Sequence, residues 1–187
     1  MSDSVRAPVP ASAGAARLLV VCGDNPLAYR LATELLGQRR CSVTVIVRSA
    51  QAGMAPRIAR LERVRLIEAP ELNVAAYRAA GVAAADALAL TDQDDVANIH
   101  AALCAQEVNP GLRVVIRFGN MSLGYRIQEL FPGSVVLSDS STAAPSFVAA
   151  ALGNVTQGSV RLPGRPHRTV FVARRAEVPP GDVVCGL

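Results

Sequence analysis

The distribution of hydrophobic and polar positions predicts strands and helices that alternate over residues 17–153. Short runs of Val, Leu and Ile predict strands, and each is followed by a segment with helical spacing or a helix-capping residue. Because right-handed crossovers join parallel strands, this order predicts an α/β fold with one doubly wound parallel sheet of about six strands. The strands are expected at 17–22, 42–47, 63–68, 87–91, 113–117 and 134–137, and the helices near 26–36, 50–60, 73–80, 95–108, 122–130 and 142–153.

The first helix carries clear signals at its start and along one face. Asn25 or Asp24 can cap its N-terminus, and Pro26 suits its first turn. A leucine at every fourth position predicts one buried stripe, formed by Leu27, Leu31 and Leu35. At the other end of the alternating region, Ser141 or Thr142 is expected to cap an alanine-rich helix that ends at Gly153.

A glycine turn separates the first strand from the first helix. This is the layout of a βα unit that holds a nucleotide diphosphate on a helix N-terminus, so the predicted sheet is Rossmann-like. The usual spacing, G-x-G-x-x-G/A, is filled here by Gly23, Asn25 and Ala28. The first glycine alone is kept, and the side chain of Asn25 occupies space that a glycine leaves open.

Residues that follow the second and third strands are candidates to contact the same ligand. Val47 stands where a carboxylate normally binds the adenosine ribose, and Arg48-Ser49 follows it. Arg48 offers a planar set of donors that suits a 2′-phosphate, or it is a solvated surface arginine. Glu68 can reach a ribose or adenine, or it is an ordinary loop charge.

Acidic residues and an arginine follow the fourth and fifth strands. Thr91 and Asp92 come first, and Asp94 and Asp95 come at the start of the long helix. Acids at a helix N-terminus cap it and suit its dipole, whereas a cluster of carboxylates is also the ligand set that a divalent cation prefers. Arg117 ends its strand, where it can neutralise a phosphate or pair with one of the aspartates.

Composition is consistent with a buried sheet and a mildly basic surface. Hydrophobic residues make up 51% of the 187 residues and aromatic residues 4%, with no Trp, so the core must be aliphatic. The net charge of +4 is compatible with a phosphate-bearing ligand and does not demand a nucleic-acid partner. The four cysteines include no C-x-x-C pair, so we expect a reduced, cytoplasmic protein with no zinc site.

No group of residues has the spacing of a catalytic set, so no catalytic residue is predicted. His100 is expected at an interface or half-buried on the long helix. Cys22 is interpreted as a small buried hydrophobe, and Tyr77 and Tyr125 as packing residues.

The two ends of the chain differ from the body in composition. Residues 1–16 lack the apolar core of a signal peptide and are interpreted as a flexible leader. Residues 154–187 are interpreted as a linker with a short β tail, with strands at 159–162 and 169–175. The apolar end at 181–187 suggests a fragment of a longer protein or an edge that needs a partner. No window is long and apolar enough for a membrane span.

Several motifs together resemble the regulator-of-potassium-conductance (RCK) domain, also known as the Trk-type TrkA-N nucleotide-binding domain. The matching segments are V-V-C-G-D-N-P-L-A at 20–28, Y-R-A-A-G-V at 77–82, A-L-A-L-T-D-Q-D-D-V-A-N-I at 87–99, N-P-G-L-R-V-V-I-R-F at 109–118 and S-D-S-S-T-A-A-P at 138–145. The resemblance covers residues 17–153, which it implies are one nucleotide-binding lobe with 142–153 as its crossover helix. It also implies that the tail at 154–187 leads toward a second lobe and is the truncated start of it.

The resemblance implies a cytosolic module that senses a ligand and gates a potassium channel or transporter in the membrane. Such domains form dimers and larger rings through their outer helices, and they bind NAD(H), ATP or ADP, or in some members calcium. The implied nucleotide contacts are Gly23, Asp24, Asn25, Pro26, Leu27, Ala28, Arg48, Thr91, Asp92, Asn98 and Arg117.

Three departures from the family pattern bear on the ligand. Asn25 replaces a glycine, Val47 replaces the ribose-binding acid, and Ala69-Pro70 stands where the family usually has Gly-Asp. Two other interpretations therefore stay open beside the nucleotide sensor. One is a fragment of an NADP-dependent oxidoreductase, and the other is a degenerate assembly domain that binds no ligand.

Overall fold

All six predicted strands of the body form one parallel sheet, in the order β3-β2-β1-β4-β5-β6. The strands are β1 (Arg17–Cys22), β2 (Cys41–Val47), β3 (Val64–Glu68), β4 (Ala87–Leu90), β5 (Arg113–Arg117) and β6 (Val135–Leu137). The strand order reverses between β1 and β4, which is the arrangement of a Rossmann-like fold. The computed structural model describes residues 17–38, 40–131, 133–151, 159–161 and 169–171.

Helices connect the strands as the alternation predicts. They are α1 (Pro26–Leu36), α2 (Ala55–Ile58), α3 (Val74–Ala79), α4 (Asp95–Val108), α5 (Met121–Leu130) and α6 (Asp139–Ala151). Within these described ranges, every helix is too short or too polar to span a bilayer.

Helices cover both faces of the sheet, so the doubly wound prediction is confirmed. Val20 and its neighbours on one face pack with α3, α4 and α5. Val21, which points the other way along β1, packs with α1 and α2. Because β1 and β2 lie inside the sheet, they read as continuous apolar runs rather than as alternating ones.

The face that α1 buries differs from the predicted leucine stripe. Ala28 and Ala32 are fully buried against the sheet, whereas Leu31 and Leu35 are partly exposed at the edge of the same cluster. Two alanines one turn apart let the helix backbone approach the strands closely, and the larger leucines then fill the sides of the contact.

The chain divides into two compact units, Met1–Leu137 and Ser138–Leu187. In the second unit α6 begins before the predicted cap, because the Ser138 hydroxyl already accepts a hydrogen bond from the Ser141 N–H (3.4 Å). The prediction that Ser141 or Thr142 caps this helix is therefore wrong.

The β tail is confirmed where it is described. β7 (Ser159–Arg161) pairs antiparallel with β8 (Thr169–Phe171). The predicted helix end at Gly153, the leader and the rest of the tail lie outside the described residues. The domain limits drawn from the sequence stay a prediction.

The two tyrosines in the body have opposite environments. Tyr77 is completely buried, as a packing residue should be, whereas Tyr125 is 63% exposed, so its interpretation as a packing residue is wrong. The inner face of α5 is formed by Gly124 and Ile127, and Tyr125 follows Gly124 on the outer side.

Cys22 and Tyr77 form a buried pair of titratable groups under the end of β1. Burial raises the pKa of the Cys22 thiol to about 12, although contact with the Tyr77 hydroxyl partly offsets that rise. Burial also raises the pKa of Tyr77, and its hydroxyl makes no hydrogen bond of ordinary geometry. Both groups are therefore neutral near pH 7.

The Cys22 thiol should make the fold sensitive to alkali. Its pKa is raised from 9.0 to about 12 on folding, so between those values the native state binds more protons than the unfolded state. The free energy of unfolding should therefore be unaffected by this group below pH 9.0 and fall as the pH rises toward 12. Urea titrations across this window should show a shallower fall for Cys22→Ala than for the wild type.

Cys41→Ala is the matched control, because Cys41 is only partly buried at the start of β2. It should keep the wild-type pH slope. Equal slopes for the two variants would contradict the assignment to Cys22.

Candidate functional site

A crevice of about 250 Å³ opens at the carboxyl ends of β1, β2 and β4. This is the switch point in strand order, where open α/β sheets bind their ligands. The predicted site residues that line it are Gly23, Asp24, Asn25, Arg48, Asp92 and Asn98, and Cys22, Ile46, Val47, Leu72 and Gln93 complete the lining.

Gly23 allows the chain to turn sharply at the floor of the crevice. Its φ is +134°, and a Cβ at this position would collide with the Thr91 hydroxyl. The same hydroxyl donates a hydrogen bond to the Cys22 carbonyl (2.7 Å), and the Thr91 N–H reaches that carbonyl as well (3.1 Å). Thr91 is buried, holds β4 against β1 and does not line the crevice.

Asn25 caps α1 and ties it to the end of β4. Its side-chain carbonyl accepts a hydrogen bond from the Ala28 N–H (3.0 Å), as the capping prediction requires. Its amide donates to the Thr91 carbonyl (2.6 Å) and lies 3.2 Å from the Thr91 hydroxyl. Both ends of the side chain are thus held by the protein itself.

The first turn of α1 offers fewer main-chain donors than a standard phosphate site. Pro26 has no N–H, and the Ala28 N–H is already taken by Asn25. Pro26, Leu27 and Ala28 do not line the crevice. An anion bound here must therefore draw more of its stabilisation from a side chain.

Arg48 is that side chain, and it forms an ion pair with Asp92. Arg48 follows β2 and Asp92 follows β4, so the pair spans the end of β1, which lies between those strands. The side chains are 61% and 33% exposed. An exposed pair of this kind contributes about 1 kcal/mol or less, so a phosphate can compete with Asp92 for the guanidinium.

Asn98 lines the crevice, whereas Arg117 does not. The buried Asn98 amide donates to the main-chain carbonyls of Asp92 and Arg117, each at 2.9 Å. The Arg117 guanidinium donates to the Thr91 carbonyl (3.1 Å). These contacts join the ends of β4 and β5.

The aspartates at the start of α4 serve the helix and its neighbouring loop. Asp94 accepts hydrogen bonds from the Val96 and Ala97 N–H groups (2.9 and 3.2 Å), which confirms the capping interpretation. Asp95 accepts from the main chain of Gly119 and Asn120 (2.8 and 3.0 Å). Among the residues that the structure describes, no three His, Cys, Asp or Glu side chains form a group that could hold a metal ion.

Glu68 lines a separate, open cavity of about 490 Å³ at the end of β3, together with Ala69 and Pro70. Glu68 pairs in register with Val47, which lines the crevice, so the two cavities lie beside neighbouring strand ends. Ser49 accepts a hydrogen bond from the Gln51 N–H (3.3 Å) and shapes the loop after β2.

The sequence analysis missed the contact between the loop after β2 and the glycine turn. The Met54 N–H donates to the Asp24 carbonyl (2.6 Å), and a Cβ on Gly53, whose φ is +53°, would overlap that carbonyl. The loop after β2 therefore packs on the glycine turn. Gly53, which lies in a segment otherwise expected to be helical, was the sequence signal for this contact.

Asn25 should matter more for stability than an ordinary capping residue. Asn73 provides a matched control, because it caps α3 with the same 3.0 Å bond and a similar backbone conformation. Asn73→Ala should lower the free energy of unfolding by about 1 kcal/mol. Asn25→Ala also removes the bond to Thr91, so we expect a loss of about 2 kcal/mol in urea unfolding. Equal losses would show that the bond to Thr91 contributes nothing.

Three solved structures share the fold at low sequence identity. The NAD(P)-binding domain of an exopolyphosphatase-related protein from Archaeoglobus fulgidus is 16% identical, with a TM-score of 0.61 over 72% of this chain and 97% of that chain. The TrkA-N domain of the inner membrane protein YbaL from Escherichia coli is 20% identical, with a TM-score of 0.59 over 73% and 96%. The Kef CTD from Shewanella denitrificans, in an AMP-bound form, is 15% identical, with a TM-score of 0.59 over 73% and 80%.

None of the curated proteins matches the chain. The model of the TrkA-N domain family matches residues 19–131, which is more than half of the sequence. The matched region runs from β1 to the end of α5 and contains the glycine turn, the Arg48–Asp92 pair and Asn98. The chain therefore belongs to the TrkA-N domain family.

Proposed function

We propose that this chain is a ligand-sensing regulatory domain that binds an anionic nucleotide and thereby controls a potassium channel or transporter. One observation carries the proposal. The Gly23 turn, the Asn25 cap of α1 and Arg48 line one crevice at the switch point of the sheet. Membership of the TrkA-N family and the Rossmann-like architecture support the same ligand class.

The residues at the end of β2 favour a ligand with an additional phosphate. Val47 cannot accept hydrogen bonds from a ribose, whereas Arg48 supplies a planar set of donors that fits a phosphate. NADP, ATP and ADP suit this arrangement better than NAD does. The named neighbours include an NAD(P)-binding domain and an AMP-bound domain, which is consistent with an adenine nucleotide.

The two cavities suggest how a nucleotide lies across the sheet. The crevice of about 250 Å³ has room for phosphate groups, but it is small for a whole nucleotide. The cavity of about 490 Å³ at the end of β3 provides more room, and Glu68 there can accept hydrogen bonds from a ribose or an adenine. In this arrangement the phosphates lie at Gly23 and Arg48, and the nucleoside extends past Val47 toward β3.

The chemistry around the crevice favours binding over catalysis. Cys22 lies at the floor of the crevice, but burial raises the pKa of its thiol to about 12, which leaves it a poor nucleophile. His100 is exposed on α4 and does not line the crevice. We therefore propose that the domain is not an enzyme and acts by a change in conformation.

Outer helices of the domain offer a surface for a second copy of the chain. On α4 and α5 the exposed large apolar side chains are Val96, Leu103, Tyr125 and Leu130, with exposed fractions of 55 to 71%. A symmetric dimer that covers these side chains would bury apolar surface on both copies. A nucleotide that favours one angle between the paired domains would then change the conformation of a distant gate.

The proposal predicts saturable nucleotide binding without turnover. Thermal-shift measurements with NAD, NADH, NADP, ATP, ADP, AMP and calcium should show stabilisation by at least one phosphorylated ligand. At 100 times its Kd a ligand should add about 2.7 kcal/mol to the free energy of unfolding. No stabilisation by any ligand would favour the assembly domain that binds no ligand, and hydride transfer would favour the oxidoreductase fragment.

Charge changes at the ion pair should alter affinity in opposite directions. Arg48→Ala should weaken NADP or ATP by about tenfold or more and NAD by less, since a hydrogen bond to a charged group contributes about 1.5–3 kcal/mol. Asp92→Asn should strengthen the same ligands by up to about fivefold, because it removes the anion that competes for Arg48. Isothermal titration calorimetry measures both effects.

Two exposed positions provide matched controls for these variants. Arg60→Ala removes the same charge just after α2, and Glu34→Gln breaks the exposed Arg30–Glu34 pair (3.6 Å) on α1. Neither should change affinity by more than about twofold, since both lie outside the crevice. Arg48→Ala with an equal effect on every ligand, or with none, would count against the phosphate role.

A further inference from the structure

His100 and Cys104 form an adjacent pair of metal-ligand side chains on the outer face of α4. They lie four residues apart, one helical turn, and the Cys104 Sγ is 3.8 Å from the His100 Nε2. His100 is exposed and Cys104 partly so. The contact is a consequence of helical spacing, which differs from the C-x-x-C spacing of common zinc motifs.

The separation of the two atoms fits a tetrahedral zinc ion. With Zn–S near 2.3 Å and Zn–N near 2.0–2.1 Å, a tetrahedral angle places the two ligand atoms about 3.6 Å apart. The observed 3.8 Å is therefore within reach of a small rotation of either side chain. A site made of imidazole and thiolate ligands favours zinc over calcium or magnesium.

The described part of one chain supplies half of a four-ligand set. Among the described residues no third His, Cys, Asp or Glu completes a group around the pair. The pair lies near the middle of the 14-residue α4. The exposed Val96 lies one turn before His100, and Glu107 lies about one turn after Cys104. A two-fold axis close to the middle of α4 would place His100 and Cys104 of a second copy opposite those of the first.

Charge near the pair also fits a shared cation. The Glu107 carboxylate lies close to Cys104, three residues later on the same helix, and its negative charge favours a cation beside the thiol. A divalent cation bound by the pair would replace the thiol protons and stabilise the thiolates.

We propose that His100 and Cys104 of two copies of this chain bind one Zn²⁺ ion and so join the two domains through α4. This proposal rests on the pairing of two copies that is part of the proposed function. It adds that the paired copies share one set of metal ligands. The exposed Val96 and Leu103 would flank the ion with apolar contacts.

The test uses the full 187-residue chain, stripped with EDTA and kept reduced. Light scattering during a Zn²⁺ titration should show the mass doubling, with one zinc bound per two chains. Binding should release protons from the two Cys104 thiols, and Co²⁺ in place of zinc should give the visible spectrum of a tetrahedral thiolate site. If the chain is already dimeric in EDTA, the stoichiometry and the spectrum decide the question.

His100→Ala and Cys104→Ser should each abolish the stoichiometric site and its cobalt spectrum. Cys41→Ser and His167→Gln are the controls, and both should keep the site. Zinc bound with one ion per chain, an unchanged site in either pair variant, or no stoichiometric site at all would overturn the proposal.

The thermal-shift measurements with nucleotides distinguish a failure of this proposal from a failure of the proposed function. Repeated on His100→Ala in EDTA, they should give the wild-type thermal shifts, because neither His100 nor Cys104 lines the crevice. A wild-type chain that binds zinc as described but no nucleotide would remove the proposed function and leave the metal site standing.

Discussion

The turn at Gly23 is the constraint on which the rest of the site depends. The Thr91 hydroxyl fills the space where a side chain would stand and bonds to the carbonyl of Cys22. Asn25 then links the start of α1 to the main chain of Thr91. The ends of β1 and β4 and the N-terminus of α1 are thereby fixed relative to one another. These hydrogen bonds are buried or partly buried, so water competes little for their donors and acceptors and their geometry is retained.

A rigid frame with an exposed ion pair across it is a suitable arrangement for a sensor. The Arg48–Asp92 pair is stabilised weakly because water screens it, whereas the frame beneath it is held by well-formed hydrogen bonds. An incoming phosphate therefore has to replace one carboxylate rather than rebuild the turn. Asn25, which replaces a glycine in the family pattern, directs its side chain to Thr91 and strengthens that frame.

Local patterns predicted the sheet and the caps at Asn25 and Asp94, while contacts between distant segments escaped prediction. The strands were clear because Val, Leu and Ile run continuously where both faces of the sheet are covered. The cap at Asn25 follows from residue type and position alone. The pairing of Arg48 with Asp92 depends on β2 and β4 flanking β1, which is known only once the strand order is known. The packing of Gly53 on Asp24 depends in the same way on where a loop folds back. The buried face of α1 was misjudged, because periodicity does not show that small residues permit a closer approach.

The central claim is that the crevice at the end of β1 is the nucleotide site, and a crystal structure with the most stabilising ligand tests it most directly. The account predicts phosphate oxygens beside the Gly23 turn, within hydrogen-bond distance of the Arg48 guanidinium, with Asp92 turned away from it. A nucleotide bound elsewhere on the domain, with the Arg48–Asp92 pair intact, would contradict the account.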